Sequence, residues 1–185
     1  MVHENNQLVQ IGNICIKWSN LEYELAVSIW LMTEVTPEVG KILTGNLDAK
    51  QRATMAHALA HQTNAPIPFK KVLKEVLDEM RAGLIHRRNE AVHAVHFLPY
   101  APDIAKVEMH RGKGGRHARE LRHSDLAQLG KALNIAGLKI ATANLGFAEK
   151  LSANYADILW ETETALTILQ KIAATKSAGA KSGPV

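Results

Sequence analysis

The chain has 185 residues, 46% of them hydrophobic and 22% charged, with a formal net charge of +4. This length and composition indicate a globular protein that buries its own hydrophobic core without disulfides or structural metals. Aromatic residues make up only 5%, which favours helices over a β-sandwich or barrel. The single cysteine, Cys15, excludes an intramolecular disulfide and fits a reducing compartment.

The first predicted element is a long helix over residues 6–33, where apolar residues recur at helical spacing. They are Leu8, Ile11, Cys15, Trp18, Leu25, Ile29 and Met32. Its most apolar stretch, residues 26–32, is too short to span a bilayer. The chain opens without a basic segment followed by an apolar run. We therefore expect a cytoplasmic protein that does not bind membranes.

Two shorter helices are predicted next. Thr36 followed by Pro37 is typical of a helix start, and this helix is expected to end near Leu43. Either Asn46 or Asp48 is expected to cap a third helix over residues 49–62.

A strongly amphipathic helix is predicted from about Pro68, and we expect it to run without a break into residues 86–96. Its inward side chains are Val72, Leu73, Val76, Leu77, Met80 and Leu84. Helicity is expected to end at residues 98–103, because this stretch contains two prolines.

Residues 105–123 predict a small β-hairpin inserted into the helical chain, with a glycine-rich turn at residues 112–115. Residues 106–123 carry six cations against two anions. The cations are Lys106, Arg111, Lys113, Arg116, Arg119 and Arg122. This concentration of positive charge favours a polyanionic partner such as nucleic acid, although a merely solvated hairpin explains it equally well.

Two further helices complete the prediction. Ser124 is expected to cap the first, whose apolar seam comprises Leu126, Leu129, Leu133, Ala136, Ile140, Ala143 and Phe147. The last helix is expected over about 154–175, and the small, polar tail over 176–185 is expected to be disordered. The predicted fold is thus an all-α, up-and-down helical bundle with an inserted hairpin, forming a single domain over residues 1–175.

The stretch HRRNEAVHAVH, residues 86–96, departs from an ordinary amphipathic helix. On an ideal helix, its three histidines and Asn89 form one polar stripe. Arg88 falls instead near the apolar seam, four residues after Leu84, where a cation is costly unless it is paired. Arg88 and His93 lie about 140° apart around such a helix. Either the arginine reaches round, or the helix ends near the motif, or a second chain completes the site.

The segment RRNEAVH resembles the motif of HEPN domains, in which an arginine is followed by four to six residues and then a histidine, often with asparagine directly after the arginine. Arg88, Asn89 and His93 match this pattern with four intervening residues. The WSNLEYEL segment, residues 18–25, is also similar to the starts of bacterial relatives. Many relatives have a small residue and then an aromatic after the histidine, whereas this chain reaches Phe97 only four residues after His93.

The resemblance implies a metal-independent endoribonuclease without a cofactor, working as a homodimer whose two motifs line one cleft. His93 would exchange protons with the RNA, Arg88 would hold the scissile phosphate, and Asn89 would orient the histidine or bind phosphate. RNA supplies its own nucleophile in the 2′-hydroxyl. Further phosphate contacts are expected from Arg87, Arg111, Lys113, Arg116, Arg119 and Arg122. The resemblance also implies a toxin–antitoxin role with a cognate antitoxin or nucleotidyltransferase partner.

Two alternatives stay open at this point. The chain also fits a non-catalytic, dimeric HEPN-like module that binds RNA or another protein. A metal site is the sharper rival, because His57 and His61 are four residues apart and Glu90 with His93 forms a Glu-x-x-His pair. His86 and His96, taken singly, are expected to be solvated.

Overall fold

The computed structural model describes residues 2–93, 95–96, 104–110 and 116–151, and helices dominate this part of the chain. Residues 154–175 and 176–185, predicted to form a last helix and a disordered tail, lie outside the described residues, and so does the predicted glycine turn. The helices and strands are α1 Val2–Thr33, α2 Pro37–Thr44, α3 Ala49–Gln62, α4 Ile67–Glu79, α5 Ile85–His93, β1 Val95–His96, β2 Ile104–His110, β3 Arg116–Arg122 and α6 His123–Ala148.

Local sequence explains where α2 and α3 begin. Pro37 occupies the first turn of α2, where its missing N–H costs no hydrogen bond. Asp48, rather than Asn46, caps α3, because Gln51 stands three residues later. The Asp48 side chain accepts from the Gln51 N–H, and the Gln51 side chain accepts from the Asp48 N–H, each at 2.8 Å. This reciprocal capping box satisfies two amides that the helix itself leaves unbonded.

The prediction of one unbroken helix from Pro68 into the motif is wrong. A π turn, Met80–Leu84, separates α4 from α5, and Gly83 has φ 138° and ψ −4° within it. Only glycine adopts this backbone region at little cost. The regular α-helical backbone is therefore interrupted between α4 and α5.

The described residues form two compact units. Among the described residues, the first unit comprises 2–21 and those within Val76–Gly137, and the second comprises Glu22–Glu75 and 138–151. The buried apolar side chains of the first unit are Ile14, Trp18, Leu21, Val76, Leu77, Met80, Leu84, Ala91, Leu126, Leu129, Leu133 and Ala136. The inward residues expected near the motif, from Val76 to Leu84, are therefore confirmed.

The packed face of α1 differs from the predicted one in its first turns. Leu8 was expected inside but is 67% exposed, whereas Ile14 is fully buried. Val9 and Ile16, on the same side as Leu8, are also exposed. Both sides of this part of α1 carry apolar residues, so helical periodicity alone does not distinguish them.

The second unit packs mainly around Trp30. Its indole Nε1 donates to Thr44 Oγ1 at 3.1 Å, and the ring lies against Gly40 of α2. A methyl group at position 40 would come within 2.5 Å of the indole, so only glycine fits this close approach. Phe69 and Phe147 meet in the same unit with ring centroids 4.9 Å apart.

A three-stranded antiparallel sheet in the order β1-β2-β3 belongs to the first unit. Strands β2 and β3 pair in register from Ile104 opposite Arg122 to His110 opposite Arg116. The two-residue β1 pairs Val95 with Glu108. Strand β1 begins two residues after α5 ends, so the backbone passes directly from the motif helix into the edge of the sheet.

None of the helices among the described residues is both long enough and apolar enough to cross a membrane.

Candidate functional site

The three motif residues lie together at the end of α5. Arg88 Nη1 donates to Asn89 Oδ1 at 3.0 Å and lies 2.9 Å from His93 Nε2. Arg88 and Asn89 are half-buried, while His93 is exposed. One chain therefore brings the guanidinium, the amide and the imidazole into mutual hydrogen-bonding distance.

This geometry decides between the three explanations for the spacing of Arg88 and His93. The long arginine reaches round the helix to His93, and α5 ends at that same residue. The contact between the two side chains forms within a single chain and does not need a second copy.

The direction of the Arg88–His93 hydrogen bond defines the state of the imidazole. A guanidinium is always protonated and only donates. The Nε2 atom of His93 must therefore accept, which places the ring proton of the neutral imidazole on Nδ1. In this arrangement, the basic nitrogen of His93 is Nε2, and it accepts a hydrogen bond from the positively charged Arg88.

Trp18 of α1 supports the arginine, and sequence reasoning did not single out this role. The Arg88 guanidinium carbon lies 5.2 Å from the centroid of the Trp18 ring, within the range of a cation–π interaction. Trp18 itself is 4% exposed, so the surface that carries the guanidinium is fixed by the core. The sequence signal was present, because an arginine near an apolar seam needs a partner that tolerates its charge.

His86 and Glu90 form a second pair on α5, one turn apart. His86 Nε2 lies 3.2 Å from Glu90 Oε1, and the Glu90 side chain is only 11% exposed. The expectation that His86 is simply solvated is therefore incomplete, because its ring contacts a buried carboxylate. His96 lies on β1, beyond the end of α5.

The other cations expected to contact phosphate are placed only in part. Arg87 is exposed on α5, and Arg122 is exposed at the end of β3, where its backbone N–H donates to Asp125 Oδ2. Arg116 and Arg119 lie on β3, opposite His110 and Val107 of β2. Arg111 and Lys113 lie outside the described residues.

The rival metal site gains no further ligands in the described part of the chain, where no three His, Cys, Asp or Glu side chains cluster. His57 and His61 of α3 do meet, with their Nε2 atoms 3.3 Å apart. The contact involves only two nitrogens on one helix face, which is fewer than the three protein ligands of a typical catalytic zinc site.

A different polar cluster occupies the second unit and is fully buried. Asn144 Nδ2 donates to Glu24 Oε2 and to the Glu24 carbonyl, each at 2.9 Å. Ser28 Oγ lies 2.8 Å from Asn144 Oδ1 and 2.9 Å from the Glu24 carbonyl. Burial raises the pKa of Glu24 to about 7, while the hydrogen bond from Asn144 acts in the opposite direction.

No family model matches the chain, and no curated protein or solved structure is similar enough to match it.

Proposed function

We propose that this protein is a HEPN-like, metal-independent endoribonuclease that acts as a homodimer. The observation that carries the proposal is the contact of 2.9 Å between Arg88 Nη1 and His93 Nε2 at the exposed end of α5. It joins a phosphate-binding cation to a group that exchanges protons near neutral pH.

These two side chains match the needs of RNA cleavage through the ribose 2′-hydroxyl. When Arg88 turns from His93 to the phosphate, the freed Nε2 atom of His93 takes the 2′-hydroxyl proton while the 2′-oxygen bonds to phosphorus and the bond to the 5′-oxygen breaks. Arg88 donates to the phosphate oxygens, whose negative charge grows during this step. DNA lacks the 2′-hydroxyl and is expected to stay intact.

In this proposal, a second copy of the motif supplies the general acid that one copy lacks. The leaving 5′-oxygen needs a proton from an acid, and the histidine of one motif cannot be base and acid in the same step. A twofold axis beside α5 places a second histidine across the phosphate, which gives the composite Arg/His cleft of the proposal.

Asn89 and Arg122 complete the proposed site. Asn89 Oδ1 accepts from Arg88 Nη1 and so helps to fix the guanidinium. Arg122, which is exposed, adds contacts to the RNA backbone that strengthen binding without reading sequence.

The test is cleavage of mixed single-stranded RNA by the purified chain in excess EDTA, with His93→Ala beside it. We expect the wild type to cut RNA and the variant to lose cleavage, because the proton-transfer group is gone. His61→Ala is the matched control, since His61 is an exposed histidine on α3 outside the site. Cleavage by folded His93→Ala protein at the wild-type rate would remove His93 from the mechanism.

One observation favours the non-catalytic alternative, a dimeric module that binds RNA or another protein. The Nε2 atom of His93 already accepts from Arg88, so the pair is satisfied without substrate. A protein that binds RNA but leaves it uncut in this assay would support that alternative. A toxin–antitoxin role, with a cognate antitoxin or nucleotidyltransferase, belongs to the same proposal through the motif alone.

A further inference from the structure

A cavity of about 260 Å³ opens between α5 and the first turns of α6, within the first unit. It is lined by Arg87, Glu90, Ala91, Asp125, Leu126, Gln128 and Leu129. The proposed cleavage chemistry uses neither the cavity nor its two carboxylates.

The walls of the cavity differ in polarity. Ala91, Leu126 and Leu129 are at most 2% exposed, so they close the cavity but contribute little of its open surface. Most of that surface is polar and comes from the other lining residues, Arg87, Glu90, Asp125 and Gln128. Glu90 is buried, Asp125 is half-buried, and Arg87 and Gln128 are exposed. A small cavity lined mainly by hydrogen-bonding groups suits a ring with several polar atoms on its edge.

The size of the cavity limits the ligand further. At about 260 Å³ it lies below the range of pockets that enclose drug-sized molecules, about 300–1,000 Å³. It therefore suits a single heterocyclic base more than a whole nucleotide.

The hydrogen-bonding groups select among the bases. The Glu90 and Asp125 side chains supply acceptors, and Arg87 supplies donors only. Guanine combines two neighbouring donors, N1–H and the 2-amino group, with two acceptors, O6 and N7. Arginine commonly pairs with O6 and N7 of guanine, which leaves the N–H edge for the carboxylates. Adenine, cytosine and uracil do not offer two adjacent donors.

Glu90 also connects the cavity to the proposed cleavage site. Its carboxylate lines the cavity and lies 3.2 Å from His86 Nε2, on the polar stripe that continues to His93. An RNA backbone that ran along this stripe would bring the base of a nucleotide beside the cleaved bond to the cavity.

We propose that the cavity is a guanine-binding site that gives the ribonuclease a preference for RNA with guanine next to the cleaved bond. The part that concerns RNA depends on the proposed function. The part that concerns guanine recognition does not, and free guanine nucleotides present the same base.

The first experiment titrates the full chain with 5′-GMP, IMP, AMP, CMP and UMP at one ionic strength by calorimetry. We expect GMP to bind about tenfold or more tightly than AMP, CMP and UMP, since each good paired contact to a base discriminates by 1–3 kcal/mol. IMP lacks the 2-amino group and should fall in between. Equal affinity for all five would reveal phosphate binding alone and contradict the proposal, as would the absence of GMP binding.

Variants locate the binding. Glu90→Gln and Asp125→Asn keep the side-chain volume but remove an obligate acceptor, so each should erase most of the preference for GMP over IMP. Gln128→Ala changes only the mouth of the cavity, so it can still test binding there if Glu90→Gln or Asp125→Asn folds poorly. Glu149→Gln, an exposed carboxylate near the other end of α6, is the matched control. GMP selectivity that survives both wall substitutions would place guanine elsewhere.

The second experiment maps cleavage of RNAs that contain one guanosine in an otherwise uridine and adenosine chain, and the same RNAs with inosine. Cleavage beside guanosine that weakens with inosine supports the RNA role. Cleavage without regard to guanosine contradicts that role even if GMP binds. Selective GMP binding without any cleavage would keep the guanine site and overturn the ribonuclease. An arginine amide stands in for an arginine side chain of another protein. If it binds more tightly than GMP, a protein partner is indicated and the guanine site is overturned.

Discussion

Two polar clusters in this protein are built from similar groups and differ in what surrounds them. In the second unit, Glu24, Ser28 and Asn144 are each at most 1% exposed and satisfy one another through hydrogen bonds. At the end of α5, Arg88 Nη1 bonds to His93 Nε2, but Arg88 Nε is buried without a hydrogen-bond partner among the described residues and His93 faces solvent.

The difference is why we treat the first cluster as structural and propose a chemical role only for the second. A buried network has no access for a substrate, and its value lies in leaving no polar atom without a partner. An exposed pair of strong hydrogen-bonding groups gains little stability because water competes for both. A cation and an imidazole held together at a surface therefore point to a ligand, and each prediction below tests one side of this contrast.

The largest effect is expected from Arg88→Lys. Lysine keeps the charge but loses the planar fork that holds phosphate, so cleavage should fall by about a hundredfold or more. Stability should change by less than about 1 kcal/mol, which is the usual worth of an arginine on an aromatic ring. Single-turnover cleavage and urea unfolding measure the two quantities.

Arg81→Lys is the control for this substitution, because Arg81 is an exposed arginine in the π turn. A loss of stability without loss of cleavage in Arg88→Lys would reverse the assignment and make the α5 cluster structural.

On the buried side, Asn144→Leu should destabilise the protein by about 3 kcal/mol. Leucine has a similar shape but leaves the Glu24 carboxyl and the Ser28 hydroxyl without the amide that bonds both. Urea unfolding measures the loss. Asn134→Leu, at a half-buried position of the same helix, should cost clearly less, and equal losses would show that the network contributes nothing.

A smaller effect is expected from pH, through Glu24. Its pKa rises from 4.5 to about 7 on folding because burial disfavours the charged form. The folded state thus holds this proton more tightly, and the resulting stability is complete below pH 4.5 and lost as pH rises through 7. The total is on the order of 3 kcal/mol at most.

Glu24→Gln checks the sign of this effect. The amide stays neutral at every pH, so this variant should lack that part of the pH dependence and exceed wild-type stability at pH 8. Glu75→Gln, a half-exposed carboxylate 3.9 Å from Lys139, should keep the wild-type profile. A wild type that gains stability between pH 5 and pH 8 relative to Glu24→Gln would contradict the assignment.

Most local signals in the sequence predicted local structure. Pro37 marks a helix start through its fixed φ and missing N–H, Asp48 marks one through hydrogen bonds to Gln51, and the structure confirms both. The expected Ser124 cap is wrong, because α6 already begins at His123. The inward face from Val76 to Leu84 is confirmed, since its apolar residues follow one period without competition. The mostly helical character of the chain is also confirmed.

What the sequence did not predict depends on contacts between distant segments. The cation–π contact joins Trp18 to Arg88 across 70 residues of chain. The burial of Glu24 depends on Asn144, which lies 120 residues away. Neither pairing leaves a trace in helical periodicity. The break at Gly83 was not predicted, because a lone glycine is tolerated in an otherwise regular helical pattern.

Because of the break at Gly83, the direction of α5 is not simply that of the regular helix α4 before it. Since Gly83 holds φ 138°, two torsion angles at one residue set the direction in which α5 leaves the π turn. Gly83 therefore sets the direction of α5. Any side chain at this position would resist the required φ angle and so change the direction in which α5 presents Arg88 and His93.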